Sequence, residues 1–354
     1  MSVENRRRFG FEDGLHGRAA TDPFITESTN PIATLSARPL ISNRGIPLNL
    51  DWVRQVRINT SAVERRAQTH VARRTVKKDW QAAWMLRAIS CMDLTTLSGD
   101  DTEERVRRLC AKARQPIQGD LVKRLGVEEL EIKVAAVCVY HTFVETAVRS
   151  VAGSGVRVAA VSAGFPAGLS PLTERVAEIR RSVEAGANDI DVVITRAHVF
   201  AGKWQALYDE IAAFKQACGP AHMKVILGTG DLLTLRNVER ASFVAMMAGA
   251  DFIKTSTGKE PTNATLPVGF VMTRAIREYA EETGMAVGFK PAGGIRTAKQ
   301  SLEWLTLMKE ELGNSWLDAH LFRLGASGML ADIERQLEFH VTGRYSAEYR
   351  HPIA

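Results

Sequence analysis

The chain has 354 residues, 45% of them hydrophobic and 24% charged, a composition ordinary for a soluble globular protein. No apolar run approaches the roughly 20 residues needed to span a bilayer, so no membrane partner is expected. The formal net charge of +6 fits an anionic substrate, weak nucleic-acid contact or no charged partner at all.

Residues 1–48 carry Gly10, Gly14, Gly17, Pro23, Pro31, Pro39 and Pro47 among Ser, Thr and Asn, with no sustained apolar period. They read as a disordered extension. Arg6, Arg7 and Arg8 would suit a targeting peptide, but Glu4, Glu12 and Asp13 argue against a mitochondrial presequence. Residues 49–88 read as a helical segment packing on whatever follows. Trp52, Val53 and Val56 supply one apolar face; Trp80, Ala83, Trp84 and Leu86 to Ala88 supply another. The basic run Arg73-Arg74-Thr75-Val76-Lys77-Lys78 between them could face a phosphate backbone. No aromatic residues interleave with it, so a solvated helix face is the better reading, and no nucleic acid is expected.

From residue 89 onward, short apolar runs alternate with helical patterns. Strands are predicted at 89–94, 134–140, 156–162, 190–195, 223–228, 251–255, 286–290 and 321–325. They are rich in Val, Ile and Ala with little polar alternation, as strands buried on both faces are. One intervening helix is expected to begin at Ser170-Pro171, with Ser as cap and Pro in the first helical position, and to end before Gly186. Another runs through Val238, Ala241, Val244 and Met247 to Gly249. Eight alternations predict an α/β fold, a (β/α)8 TIM barrel over residues 89–340 with the N-terminal helical extension before it and a tail at 341–354. A doubly wound open sheet is the alternative, but no GxGxxG or GxxxxGK[ST] loop accompanies it.

Two of the αβ junctions echo each other. Ala185-Gly186-Ala187-Asn188-Asp189-Ile190-Asp191 resembles Ala248-Gly249-Ala250-Asp251-Phe252-Ile253-Lys254, with an acid in one and a lysine in the other at the same offset. Turns of this kind resemble one another in general, which explains the small residues but not the charges. Lys290 closes a further apolar strand, and Asp93 sits in Met92-Asp93-Leu94-Thr95-Thr96-Leu97. Charges at the carboxyl ends of barrel strands stand where such barrels do chemistry. Burying an ammonium is costly, and a cationic neighbour adds to the cost. A lysine there gains by being neutral, and a neutral amine attacks carbonyls. Lys254, followed at once by Thr255-Ser256-Thr257-Gly258-Lys259, is the candidate nucleophile, with Lys290 and Asp191 as its charged companions. The plainer possibility is a buried Asp–Lys salt bridge with Lys254 spare at the surface.

Gly293-Gly294 and Gly325-Ala326-Ser327-Gly328 follow the last two strands. Exposed backbone amides in such turns can cradle a phosphate, with Gly258 and Lys259 adding an amide and a charge. Either pair alone would be explained by tight turns. The four cysteines (Cys91, Cys110, Cys138, Cys218) form no CxxC pair and the eight histidines show no ligand spacing. Neither a metal site nor a disulfide framework is predicted, and a reducing, cytoplasmic setting is.

At these residues the chain resembles the deoxyribose-phosphate aldolases, a family of class I aldolases. The resemblance is carried by Met92 to Leu97, Ala136-Val137-Cys138-Val139-Tyr140, Ile190-Asp191-Val192-Val193, Asp251 to Lys259, Asn263-Ala264-Thr265, Gly288 to Arg296 and Phe322 to Ser327. It runs from about Trp52 to the tail, and the basic run and C-terminal stretch look like the longer, eukaryote-type members. The resemblance implies a barrel that reversibly cleaves 2-deoxy-D-ribose 5-phosphate to D-glyceraldehyde 3-phosphate and acetaldehyde, in deoxyribose phosphate catabolism. Lys254 would form the Schiff base, Asp191 rather than Asp189 would move protons, and Lys290 would be the relay. Asp93, Thr95 and Cys138 would line the pocket, and Gly258, Lys259, Gly293, Gly294 and Ser327 would contact the phosphate. No cofactor is implied, and a homo-oligomer is compatible with the sequence. Another aldolase for a phosphorylated sugar, or a silent phosphate-binding scaffold, are the rival functions. The chain departs from the family in Gly328, where Ser or Thr is frequent, and in His141, where proline is. Tyr345 and Tyr349 both compete for the place of a mobile C-terminal tyrosine.

Overall fold

Strands with no polar face must be covered on both sides, and parallel strands need long crossovers that can do the covering. A computed structural model describes residues 42–73 and 75–352 and shows that solution. The strands are β1 (Met92–Thr95), β2 (Ala136–Tyr140), β3 (Arg157–Ser162), β4 (Asp189–Val193), β5 (His222–Ile226), β6 (Phe252–Lys254), β7 (Gly288–Lys290) and β8 (Leu324–Ala326). Consecutive strands from β1 to β7 pair in parallel, and β1 also pairs with β8. The seam between β7 and β8 is closed by two parallel bridges, Phe289 with Phe322 and Ala292 with Gly325. There the Phe289 amide donates to the Leu321 carbonyl at 2.9 Å and the Gly325 amide to that of Pro291 at 3.0 Å. The sheet is therefore a closed (β/α)8 barrel, and the open doubly wound alternative fails. Among the described residues no helix is long and apolar enough to cross a membrane.

The sequence echo has a conformational basis. Gly186 (φ +99°) and Gly249 (φ +96°) both end a helix in backbone that side chains rarely adopt. The hydrogen bonds match one for one: Ala187 to Ser182 and Asn188 to Val158 in the first turn, Ala250 to Ala245 and Asp251 to Met223 in the second. The residue after each turn then caps the neighbouring strand. Asn188 Oδ1 accepts from the Val158 amide at 2.9 Å, and Asp251 Oδ2 from the Met223 amide at 2.8 Å. Three residues later each strand delivers its charge, Asp191 from β4 and Lys254 from β6.

Several expectations need correction. The extension expected to be mobile as far as residue 48 is anchored from residue 42; its first 41 residues lie outside the described ones. Asn43 is 1% exposed. Its side-chain amide donates to the Met246 and Ala250 carbonyls, and its backbone amide to Asp251, so it braces the base of β6. Helices follow at Leu50–Gln55, Thr60–Arg73 and Lys78–Ser90. Trp52 stacks against Tyr279 and donates to Glu278 at 2.7 Å, while Val53, Val56, Val63 and Ala67 join the core. Each buried valine contributes about 1.5–3 kcal/mol. Trp80, placed on a buried face from its spacing, is 55% exposed. The basic run is not one helix face: the helix stops at Arg73 and a new one starts at Lys78, leaving Thr75, Lys77 and Lys78 on an exposed break. The first strand begins three residues later than expected, because Ile89 and Ser90 close the preceding helix and Ile89 is apolar to bury there. Pro171 is the residue before the helix Leu172–Glu184, not its first, and among the described residues no side chain caps that end.

Candidate active site

Side chains alternate along a strand, so each barrel strand feeds two separate interiors. Ile190, Val192, Val225, Ile253 and Phe289 point outward into the large core beneath the helices. The opposite parity points into the barrel. It carries Asp93 on β1, Asp189 and Asp191 on β4, Lys224 on β5, Lys254 on β6 and Lys290 on β7, all buried, and Arg323 joins them from just before β8.

These groups form a closed ring of alternating charge. Lys290 Nζ donates to Asp191 Oδ2 at 2.8 Å and to Asp93 Oδ2 at 2.5 Å. Asp93 Oδ1 accepts from Arg323 Nη1 at 2.7 Å, and the same Nη1 lies 3.3 Å from Asp189 Oδ2. That oxygen is 2.7 Å from Lys224 Nζ, which returns to Asp191 Oδ1 at 3.4 Å. Arg157 reaches Asp189 Oδ1 from the rim. Each aspartate in the ring therefore has two ring cations, and each ring cation has two aspartates.

Lys254 stands outside this circuit. It is 3% exposed, and among the described residues its ammonium donates to one partner, Asp191 Oδ2, at 2.8 Å. Lys290 uses the same oxygen, so the two nitrogens lie within twice that distance of each other. If Lys254 were neutral, Asp191 would keep Lys290 and Lys224, and no buried carboxylate would be orphaned. Each ring cation, by contrast, bridges two aspartates, so neutralising one would break the circuit.

The electrostatics follow the geometry. Burial alone would raise the Asp191 carboxyl, but Lys254, Lys290 and Lys224 hold it well below the usual carboxylate range. Asp93 and Asp189 are likewise held low against burial, the first by Lys290 and Arg323, the second by Lys224 and Arg323. Burial opposes the charge on Lys290, yet Asp191 and Asp93 raise it above its ordinary value and keep it an ammonium. Lys290 is thus a fixed charge within the ring, whereas Lys254 lies outside it.

The other expected residues fall around this centre. Thr95 pairs in register with Cys138, and its hydroxyl donates to the Asp93 carbonyl at 2.8 Å. Cys138 is buried with Ala159 and Val161, under Leu97, Tyr140 and Phe165, and burial raises its thiol. Gly258 (φ +88°), Gly293 (φ +81°) and Gly294 (φ +80°) all lie in loops beyond the carboxyl ends of the strands. Gly258, Lys259, Gly294 and Ser327 are exposed. The loops after β6 and β7 touch: the Ala292 amide donates to Thr255 Oγ1 at 3.0 Å, and a Cβ on Gly293 would lie 2.6 Å from the Asn263 side chain. Ala292 in turn bridges to Gly325, so three successive loops adjoin. His141 takes up a surface contact, its Nδ1 lying 3.2 Å from Glu178. Tyr345 stacks on Phe339, and Tyr349 is exposed; neither has a partner in the ring among the described residues.

Asp189, Lys224 and Arg323 were missed as members of the cluster by reasoning from sequence. The signal was present, since Lys224 and Arg323 each interrupt an apolar strand just as Lys254 does.

Comparison with known proteins bears on what this centre is for. The model of the DeoC/LacD family of aldolases matches residues 87–331. The deoxyribose-phosphate aldolase of Homo sapiens is 58% identical over 314 residues, which are 88% of this chain and 99% of the relative. That of Mus musculus is 58% identical over 313 residues, 88% of this chain and 98% of the relative. The tetrameric deoxyribose phosphate aldolase from Aeropyrum pernix shares the fold, with a TM-score of 0.53 at 23% identity, covering 79% of this chain and 99% of that one.

Proposed function

The chain belongs to the DeoC/LacD family of aldolases, and from that premise we propose that it reversibly cleaves 2-deoxy-D-ribose 5-phosphate to D-glyceraldehyde 3-phosphate and acetaldehyde. Lys254, as the free amine, attacks the C1 aldehyde of the open-chain sugar and loses water to form an iminium. The iminium nitrogen takes the electron pair of the C2–C3 bond. Asp191, directly or through a water, accepts the C3 hydroxyl proton as that carbon becomes the aldehyde of glyceraldehyde 3-phosphate. The protonated Asp191 returns its proton to the enamine carbon, and water hydrolyses the resulting iminium to release acetaldehyde. Lys290, expected as the relay, is held as an ammonium by Asp191 and Asp93, and so acts by holding the Asp191 carboxylate in place between its transfers rather than by passing a proton itself. Gly258, Lys259, Gly293, Gly294 and Ser327 take the phosphate at the mouth of the barrel, where amides and positive charge face an anion. Asp93, Thr95 and Cys138 shape the wall opposite.

The observation that carries this reading is the position of Lys254 outside a ring that is complete without it. A structural salt bridge would use every cation to satisfy carboxylates; here one is surplus, buried and in reach of a proton acceptor. The test is a product analysis. The protein incubated with 2-deoxyribose 5-phosphate is expected to yield acetaldehyde and glyceraldehyde 3-phosphate. Dihydroxyacetone phosphate from some other sugar phosphate, with no acetaldehyde, would point to a different aldolase, and no cleavage of any sugar phosphate would point to a scaffold.

A further inference from the structure

The loop after Lys254 already holds an anion, and that anion belongs to the protein. The Thr257 amide donates to both oxygens of the Glu260 carboxylate at 3.0 Å. The Thr257 hydroxyl donates to Oε2 at 2.7 Å, and the Gly258 amide to the same oxygen at 3.1 Å. Two successive amides converge on one point because Gly258 sits at φ +88°, a conformation that turns consecutive N–H groups to the same side. The result is a small cradle of donors, and a carboxylate fills it.

The position of the cradle matters as much as its chemistry. It begins three residues beyond Lys254 and includes Gly258, which is exposed. Asn263, whose amide donates to the Glu260 carbonyl at 2.8 Å, packs directly on Gly293. Its Oδ1 is buried with no hydrogen-bond partner among the described residues. On the far side Gly230 leaves room for Thr262, since a Cβ there would fall 1.9 Å from the Thr262 carbonyl oxygen. The Glu260 loop is thus wedged between the loops after β5 and β7, with Asn263 against the glycine pair that follows Lys290.

We propose that Glu260 is an internal occupant of the seat for the substrate's phosphate group, and that it sets how strongly this site prefers phosphorylated sugars. The inference rests on the reading of the chain as a sugar-phosphate aldolase. A phosphate dianion and a carboxylate cannot both use the Thr257 and Gly258 donors. The incoming phosphate must displace Glu260 or lie beside it against repulsion. With the site empty, the carboxylate keeps two amides satisfied and the loop in its binding shape. With substrate present, it competes, and it returns as the phosphorylated product leaves.

Glu260→Gln separates competition from mere support, because the glutamine carbonyl can still accept from the loop but carries no charge. Calorimetric titration with inorganic phosphate reads the effect without requiring turnover. The variant is expected to bind phosphate about tenfold more tightly, since like charges juxtaposed in a binding site oppose each other by an energy of that order or more. Its preference for 2-deoxyribose 5-phosphate over 2-deoxyribose should rise by a similar factor. Glu260→Ala, which removes the support as well, should also bind phosphate more tightly. Unchanged or weaker phosphate binding in both variants would overturn the inference and leave Glu260 as a loop staple. Failure of the underlying functional reading would look different: the parent protein would not cleave 2-deoxyribose 5-phosphate at all.

Discussion

Replacing Asp191 by asparagine should separate the two chemical roles placed at the centre of the barrel. The carboxylate is fully buried, and one of its oxygens accepts from Lys254 and Lys290 at 2.8 Å each while the other lies 3.4 Å from Lys224. Asparagine has one acceptor oxygen, which in the place of Oδ2 can still accept from Lys254 and Lys290 but carries no charge. Its NH2 group then takes the place of Oδ1 and meets the Lys224 ammonium, donor against donor. Asp93 and Asp189 alone remain to balance Lys224, Lys254, Lys290 and Arg323. Removing one partner of a buried charge pair costs about 3–5 kcal/mol. The lower end is expected here, because Lys254 can release its proton and relieve the excess. At roughly 2–4 °C per kcal/mol for a large domain, the melting temperature should fall on the order of 10 °C. Turnover should fall by about two to four orders of magnitude, the range associated with loss of a general base. Schiff-base formation should survive, because its nucleophile is intact. Thermal melting, a coupled assay for glyceraldehyde 3-phosphate and borohydride trapping with acetaldehyde measure the three quantities. Turnover within tenfold of the parent would refute the assignment of Asp191 as the proton acceptor.

Three further outcomes follow from the same geometry. Arg323→Met removes the link between Asp93 and Asp189 and should cost about 3–5 kcal/mol in urea unfolding, whereas Arg54→Ala, in an exposed pair with Asp51, should cost no more than about 0.5 kcal/mol; equal costs would deny the ring a structural role. Lys290→Met should lower turnover by about two orders of magnitude or more while acetaldehyde is still trapped on Lys254; near-normal turnover would remove Lys290 from the chemistry. His222 is pushed down from 6.5 to about 4, by burial against the pull of Asp251 and Asp189. Between those values the unfolded chain takes up a proton that the folded chain refuses, so stability is intact above pH 6.5 and declines as pH falls toward 4. From pH 7 to 5.5 the parent should therefore lose about 1 kcal/mol more than His222→Gln; parallel pH profiles would contradict a buried neutral imidazole.

How much of this centre could be read from the sequence depended on the kind of signal. Lys254 and Lys290 were legible because each puts a charge where an apolar strand ends, and Asp191, in mid-strand, because its turn repeats the glycine geometry before Lys254. Lys224 lies level with Asp191 and Arg323 stands just before β8, but no repeated turn points to either. Their value emerges only when β4, β5 and β8 are brought to one axis. The pairing of Asp189 with Arg323 spans 134 residues, and nothing local encodes it. The barrel itself was legible from alternation, while strand limits were not: Ile89 is apolar for a helix, and periodicity over so few residues cannot tell the two burials apart. Glu260 was invisible for another reason. Its partners are backbone amides, whose convergence is set by the φ of Gly258 and leaves no mark on residue type.

The surplus amine is most directly tested by trapping. The protein should be incubated with acetaldehyde and borohydride, digested, and its lysine peptides weighed. An ethyl group is expected on Lys254 and on neither Lys290 nor Lys224, with no label and no turnover in a folded Lys254→Ala variant. Label on Lys290 or Lys224, or turnover that persists in the alanine variant, would contradict the claim that Lys254 is the amine the ring can spare.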